Sequence, residues 1–214
     1  MAVFGRRTPL VFEVRDLWPE LPIAMGALRN PIARWVARGL EKFAYAAADH
    51  VIALSPGMAA GVAQRGVPED RITVIPNGCD LALFAPSATG AARFRASHPQ
   101  LGQRPIVLYA GTFGRINGVG YLVDLAVHLR DSHPDLRFVA IGSGAEYDAV
   151  RQRAARNGLL DDTVLILPAM PKTDLVDAFA AATVSCSLFI DLPQMQANSA
   201  NKFFDTLASG TPVA

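Results

Sequence analysis

Short apolar runs alternate along this chain with stretches in which apolar residues recur every three or four positions. Runs at 10–14, 51–54 and 72–75 predict buried strands, and the segments 31–48 and 56–64 between them carry helical periodicity. A second series follows, with strands predicted over 106–110, 138–141, 164–167 and 184–188 and a helix over 202–208 that Gly210 stops. Strands alternating with helices predict an α/β fold of parallel strands joined by crossover helices. Between the two series, residues 84–105 mix Pro, Gly, Ser and polar side chains around a short helical stretch at 91–96, which reads as a hinge region. The helix over 31–48 sets Ile32, Trp35, Val36, Leu40 and Phe43 on one face and Arg34, Arg38 and Lys42 on another. Glu41 dilutes that basic stripe, which reads as a solvated face.

Composition narrows the function classes. Twenty Lys and Arg stand against nineteen Asp and Glu, so nothing in the net charge implies a polyanion and no nucleic-acid partner is expected. Cys79 and Cys186 lie far apart without metal-ligand spacing and fit a reduced, cytoplasmic compartment. No apolar run reaches the roughly 18 residues that span a bilayer, and Met1–Arg7 lacks the apolar region of a signal peptide.

Candidate chemistry sits at strand ends and helix starts. Asn198 and Ser199 are suited to capping the helix that carries Lys202 and Asp205, so free N–H groups, the helix dipole and Lys202 would face an anion. Asp205, about one turn further on, would accept from ribose hydroxyls. Gly111, Gly114 and Gly118 follow the 106–110 strand and would let backbone amides approach a diphosphate, with Arg115 in the same loop able to bridge phosphate oxygens. Gly142-Ser-Gly144 either passes near base and ribose or is a plain turn. Asp16 directly follows the 10–14 strand, where α/β sheets bind ligands, and could orient an acceptor hydroxyl or take its proton. The Trp18-Pro19 pair stiffens the loop that carries Asp16 and Glu20.

Four ordered segments resemble family-4 glycosyltransferases: Arg15-Asp-Leu-Trp-Pro-Glu20; Ala48-Asp-His-Val-Ile-Ala-Leu-Ser-Pro56 with Val74-Ile-Pro-Asn-Gly-Cys-Asp80 and Phe84; Tyr109 to Gly118; and Asn198 to Gly210. The resemblance implies a GT-B fold, with two Rossmann-like domains facing across a cleft. Residues 1–84 would be the end of the acceptor-side domain, 85–105 the hinge region and 106–214 the nucleotide-sugar domain. Both domains would be incomplete, with several βα units expected before Pro9 and a strand and helix after Ala214. It further implies transfer, with retention, of a sugar from a nucleotide diphosphate, UDP-linked, to a polyprenyl-diphosphate-linked or growing glycan, without a metal or other cofactor. Members of this kind work at the inner face of the membrane, so peripheral contact is a further implication. Catalysis would fall to Arg115, Lys202 and Asp16; Gly111, Gly114, Gly142, Asn198, Ser199, Asn201 and Asp205 would bind the nucleotide sugar. Two positions depart from the family pattern: Asn117 stands where a Lys is common, and Ala197 where the first of two acids is. The Asn-Ser-x-Asn-Lys form resembles a subset that transfers N-acetylated hexosamines such as fucosamine. A nucleotide-sugar epimerase and a non-catalytic binding remnant are the alternatives.

Overall fold

The computed structural model describes residues 8–214, which divide into two compact units. The first takes the chain to Asn77 together with Asp191–Ser199; the second comprises Gly78–Ile190 and Ala200–Ala214.

The first unit is built on a parallel sheet of β1 (Val11–Val14), β2 (His50–Ala53) and β3 (Ile72–Val74), in that order. After β1 come a short helix α1 (Glu20–Ala24) and the long α2 (Pro31–Ala47); α3 (Pro56–Gln64) links β2 to β3. The starts of α2 and α3 follow from local chemistry. Asn30 Oδ1 accepts from the amides of Ile32 and Ala33, Ser55 Oγ accepts from that of Met58, and a proline occupies the first turn of each helix, where a missing N–H costs nothing. Val14, Tyr45, Val51 and Val62 form the core against the sheet. Glu20, expected in a loop, opens α1 and pairs with Arg65 and, at 3.6 Å, Arg38.

The second unit has the strand order β6-β5-β4-β7, all parallel, from β4 (Ile106–Ala110), β5 (Arg137–Gly142), β6 (Val164–Pro168) and β7 (Val184–Ser185). Ser185 bridges Val213 in parallel beyond β7. Every residue of β4 and β5 is buried, because helices cover both sheet faces. On one face α5 (Gly120–Leu129) and α6 (Tyr147–Arg156) close a core around Phe113, Phe138 and Leu122. On the other, α4 (Ala88–Ser97) and α7 (Lys172–Ala181) close one around Phe84, Phe94 and Phe179. The 85–105 segment thus carries α4, which Arg93 ties to α7 by two hydrogen bonds to Asp177, 2.8 and 2.7 Å long.

In this order β5 and β6 lie on one side of β4 and β7 on the other. The chain therefore reverses its winding between β4 and β7, and the crevice at their carboxyl ends is where doubly wound sheets bind ligands.

Candidate functional site

Two loops cross at the carboxyl edge of this sheet, and glycines make the crossing possible. The Gly111 amide donates to Ile141 O (2.9 Å), the Phe113 amide to Ser143 O (2.8 Å) and the Glu146 amide to Phe113 O (2.9 Å). A Cβ on Gly142 would lie 1.8 Å from Gly111 O, and one on Gly144 would lie 2.5 Å from Phe113 O. The triple glycine of the first loop was expected to turn its amides outward toward phosphate. Of those glycines, Gly111 has its amide committed to Ile141 O instead, and the neighbouring Phe113 amide likewise holds the second loop. Thr112 and Ser143 face a cavity of about 210 Å³ that Ile141, Ala169, Met170 and Leu175 line on its apolar side.

Lys202 reaches the crevice from α8 (Asn201–Ala208). Its Nζ donates to the Tyr109 hydroxyl (3.3 Å) and to Leu188 O (3.5 Å), and it lies 4.6 and 4.8 Å from the ring centroids of Tyr109 and Phe189. Those four contacts come from the end of β4 and from the segment that follows β7, which puts the ammonium at the reversal point of the sheet. Tyr109 in turn donates to Thr112 O (2.8 Å), so one hydroxyl links the lysine to the glycine loop. No carboxylate among the described residues lies within ion-pair distance of Lys202, and desolvation lowers its pKa to about 8. An unneutralised, half-buried cation of this kind gains most from an incoming anion.

Asp205 lies one turn along α8 but faces elsewhere. It is 5% exposed; Oδ2 is 3.5 Å from Lys172 Nζ, and Oδ1 is buried without a hydrogen-bond partner. Burial raises its pKa and Lys172 opposes the shift. A buried lone pair left open is unfavourable unless a ligand hydroxyl or water completes it. Lys172 follows Ala169 and Met170 of the cavity wall by a few residues, which brings the pair near the cavity in sequence.

The capping expectation is corrected. α8 begins at Asn201, its cap position is Ala200, and no side chain caps it. Asn198 ends a 3-10 turn (Pro193–Ala197), and Ser199 O accepts from Asn77 Nδ2 within the first unit. Asn201 is exposed on the first turn. Arg115 opens a short 3-10 turn (Arg115–Asn117) and is exposed, and Asn117 Oδ1 lies 2.9 Å from where a Gly114 Cβ would be. Ala197 packs on α3 of the first unit: a Cβ on Gly57 would meet Ala197 Cβ at 2.9 Å, and Ser55 Oγ donates to Ala197 O. A larger acid at 197 would meet that first turn of α3, which accounts for the small residue.

Asp16 belongs to the first unit, after β1 as expected. It borders a cavity of about 260 Å³ with Val14, Trp18, Leu40, Glu41 and Tyr45 among its walls. Those walls raise the pKa of its carboxyl, with Arg15 opposing. Sequence reasoning missed Tyr109, Phe189 and Lys172. Tyr109 offered one signal, a polar-tipped aromatic near the end of a buried strand, two residues before Gly111. Among the described residues no group of three or more His, Cys, Asp or Glu forms a metal site, and no helix is long and apolar enough to cross a membrane.

Each of the two units is built on a parallel sheet, and in the second the sheet is doubly wound, the architecture of the GT-B fold. Residues 1–78 match the model of the glycosyl transferase 4-like domain and residues 91–191 that of glycosyl transferases group 1; the chain belongs to the family-4 glycosyltransferases. A D-inositol 3-phosphate glycosyltransferase of Acidothermus cellulolyticus is 32% identical over 157 residues, 69% of this chain and 33% of that protein. One of the same name from Pseudarthrobacter chlorophenolicus is 29% identical over 210 residues, 96% of this chain and 48% of that protein. The chain thus spans a third to a half of the length of these relatives. Among solved structures, Anabaena HepE in complex with UDP and glucose superposes with a TM-score of 0.76 at 22% identity, covering 97% of this chain and 52% of that one. Sucrose-phosphate synthase of Thermosynechococcus elongatus gives 0.73 at 25% identity, covering 95% and 49%.

Proposed function

We propose that the protein transfers a glycosyl group, with retention of configuration, from a UDP-linked sugar to a hydroxyl of a lipid-linked or growing glycan. The second unit serves as donor side and the first as acceptor side. The observation that carries this reading is Lys202, an ammonium without a carboxylate at the reversal point of the sheet, tied through Tyr109 to the glycine loop. In the reaction the bond from the anomeric carbon to the diphosphate oxygen breaks, and the acceptor oxygen bonds to that carbon on the same face. The acceptor proton passes to the departing diphosphate. Lys202 and Arg115 stabilise the charge that develops on the leaving group. The cavity beside Gly142 and Ser143 takes the base, with Asp205 Oδ1 accepting from a ribose hydroxyl. Asn198, Ser199 and Asn201 offer hydrogen bonds to the sugar, an N-acetylated hexosamine, in place of the acid absent at 197. Asp16 orients the acceptor hydroxyl. The UDP and glucose held by HepE, and the UDP-glucose in another complex of that protein, support the choice of uridine.

The test is release of UDP from UDP-N-acetylhexosamines, UDP-glucose and the matching GDP sugars in the presence of polyprenyl-diphosphate-linked acceptors. UDP release from an N-acetylhexosamine donor, dependent on acceptor, is expected; turnover confined to GDP sugars, or donor isomerisation without acceptor, contradicts the reading. Tyr109→Phe keeps the ring beneath Lys202 and removes the hydroxyl, and is expected to lower kcat/KM by about tenfold with an unchanged circular dichroism spectrum. Donor affinity also depends on pH in a definite direction. Lys202 loses its charge as the pH rises through about 8, so UDP affinity measured by calorimetry declines across that range, and Lys202→Met abolishes the decline.

A further inference from the structure

The chain leaves the second unit after Ile190, belongs to the first as Asp191–Ser199, and returns to the second at Ala200. The two ends of this strap meet. Lys202, just after it, donates to Leu188 O and lies 4.8 Å from the ring centroid of Phe189, both just before it. Between those ends the strap is held by side chains of the first unit. Ser55 Oγ donates to Ala197 O and Asn77 Nδ2 to Ser199 O. Met195 is buried, and Ala197 packs on the cluster of Ala53, Leu54 and Met58, so close to Gly57 that a Cβ there would meet its own at 2.9 Å. Ala200 alone then separates Ser199 from the first turn of α8, which no side chain caps. Ser55 and Asn77 both sit in segments that resemble the family, yet neither lines the cavity of the second unit.

We propose that Ser55 and Asn77 are positioning residues for Lys202: by fixing the carbonyls of 197 and 199 they set where α8 begins, and with it the seat of the ammonium beside Phe189 and Tyr109. A helix start without a side-chain cap takes its entry direction from the backbone before it. That backbone is pinned here at two carbonyls by donors from outside the helix, and a carbonyl that loses its donor must move or find water. The far half of α8 is fixed by its own burial at Asp205 and Thr206, so the anchors act on the first turn, where Lys202 lies. The lysine does not hold that turn by itself, because its two hydrogen bonds are long, 3.3 and 3.5 Å. Misplacing a group that stabilises developing charge by about 1 Å is enough to slow a reaction markedly. The functional consequence rests on the proposed donor role of Lys202, whereas the anchoring is observable without any ligand.

The test compares Asn77→Leu, Ser55→Ala and the two combined with Ser55→Thr, which keeps the donor, and with Asn30→Ala, which removes the cap of α2 in the same unit without touching the strap. Amide hydrogen exchange across 198–206, followed by mass spectrometry, is expected to quicken about tenfold or more in the double variant and to stay unchanged in Ser55→Thr and Asn30→Ala. UDP affinity at neutral pH, measured by calorimetry, falls about fivefold in the double variant, and the pH at which that affinity declines moves up because a displaced Lys202 regains water. Tyr109, whose own pKa burial pushes higher still, is the titratable side chain facing Lys202, so the midpoint reports the lysine. Each single variant shifts the same way by less, which keeps the comparison if the double variant does not fold. Asn30→Ala melts lower but retains the affinity and the midpoint. Folded variants with unchanged exchange across 198–206 overturn the proposal. Quickened exchange with unaltered UDP affinity and midpoint also overturns it and leaves the anchors merely structural, as does an equal loss of affinity in Asn30→Ala. If the unsubstituted protein binds no UDP, quickened exchange in the anchor variants leaves the anchoring standing and removes the donor reading instead.

Discussion

Lys202→Met is expected to lower kcat/KM by about a hundredfold or more and, at neutral pH, to make the protein more stable. Both effects have one cause. The ammonium sits between the Tyr109 and Phe189 rings with two oxygen acceptors and no carboxylate, so folding strips it of water without supplying an opposite charge. Burial lowers its pKa to about 8 from the ordinary lysine value of 10.5. Between those values the unfolded chain holds a proton that the folded chain has released, so native stability rises with pH across the window. The penalty is fully present below pH 8. Met fills the same space without that cost, so the variant melts several degrees higher at neutral pH, and the gain fades as the pH climbs toward the unfolded value. Thermal melts at a series of pH values, beside donor kinetics, check both halves. A variant that lost activity and stability together would make Lys202 a structural residue.

Gly142→Ala is the second large effect, and it acts on the fold. With 1.8 Å between the added Cβ and Gly111 O, the contact is with backbone, and no rotamer change relieves it. The ends of β4 and β5 must separate, which breaks the hydrogen bond from Gly111 N to Ile141 O and displaces Phe113, a buried ring that packs on both Tyr109 and Tyr147. A loss of about 3 kcal/mol or more in urea unfolding is expected, together with loss of UDP binding, since the displaced loops line the cavity. Gly158→Ala is the control. Nothing lies within 4 Å of its added Cβ, and only its φ of +66° opposes the change, at a cost of about 1 kcal/mol.

The sheet of the second unit was legible because β4, β5 and β6 are predominantly apolar runs, a pattern that burial on both faces requires. Helix starts at Asn30-Pro31 and Ser55-Pro56 were legible for the same local reason, a capping side chain followed by proline. The start of α8 was not: Asn198 and Ser199 have the right chemistry, but the hydrogen bonds from Ser55 and Asn77 to the backbone of 197 and 199 come from residues more than a hundred positions away. Lys202 was readable as a cation on a helix start, whereas its aromatic cradle depends on β4 and β7 being neighbours, a crossover that residue spacing does not encode. On α2 the exposed Arg38 and Lys42 agree with the solvated basic stripe, whereas periodicity does not show on which side of a helix the sheet lies, and here the buried residues are Ala37 and Tyr45.

Titration of UDP into the protein by calorimetry, with GDP alongside and Asp205→Asn as the paired variant, tests the central claim most directly. Saturable binding of UDP in preference to GDP is expected, weakened about tenfold when the open oxygen of Asp205 is replaced by an amide. Folded protein that binds neither nucleotide, or binds UDP equally well with Asn at 205, would contradict the account.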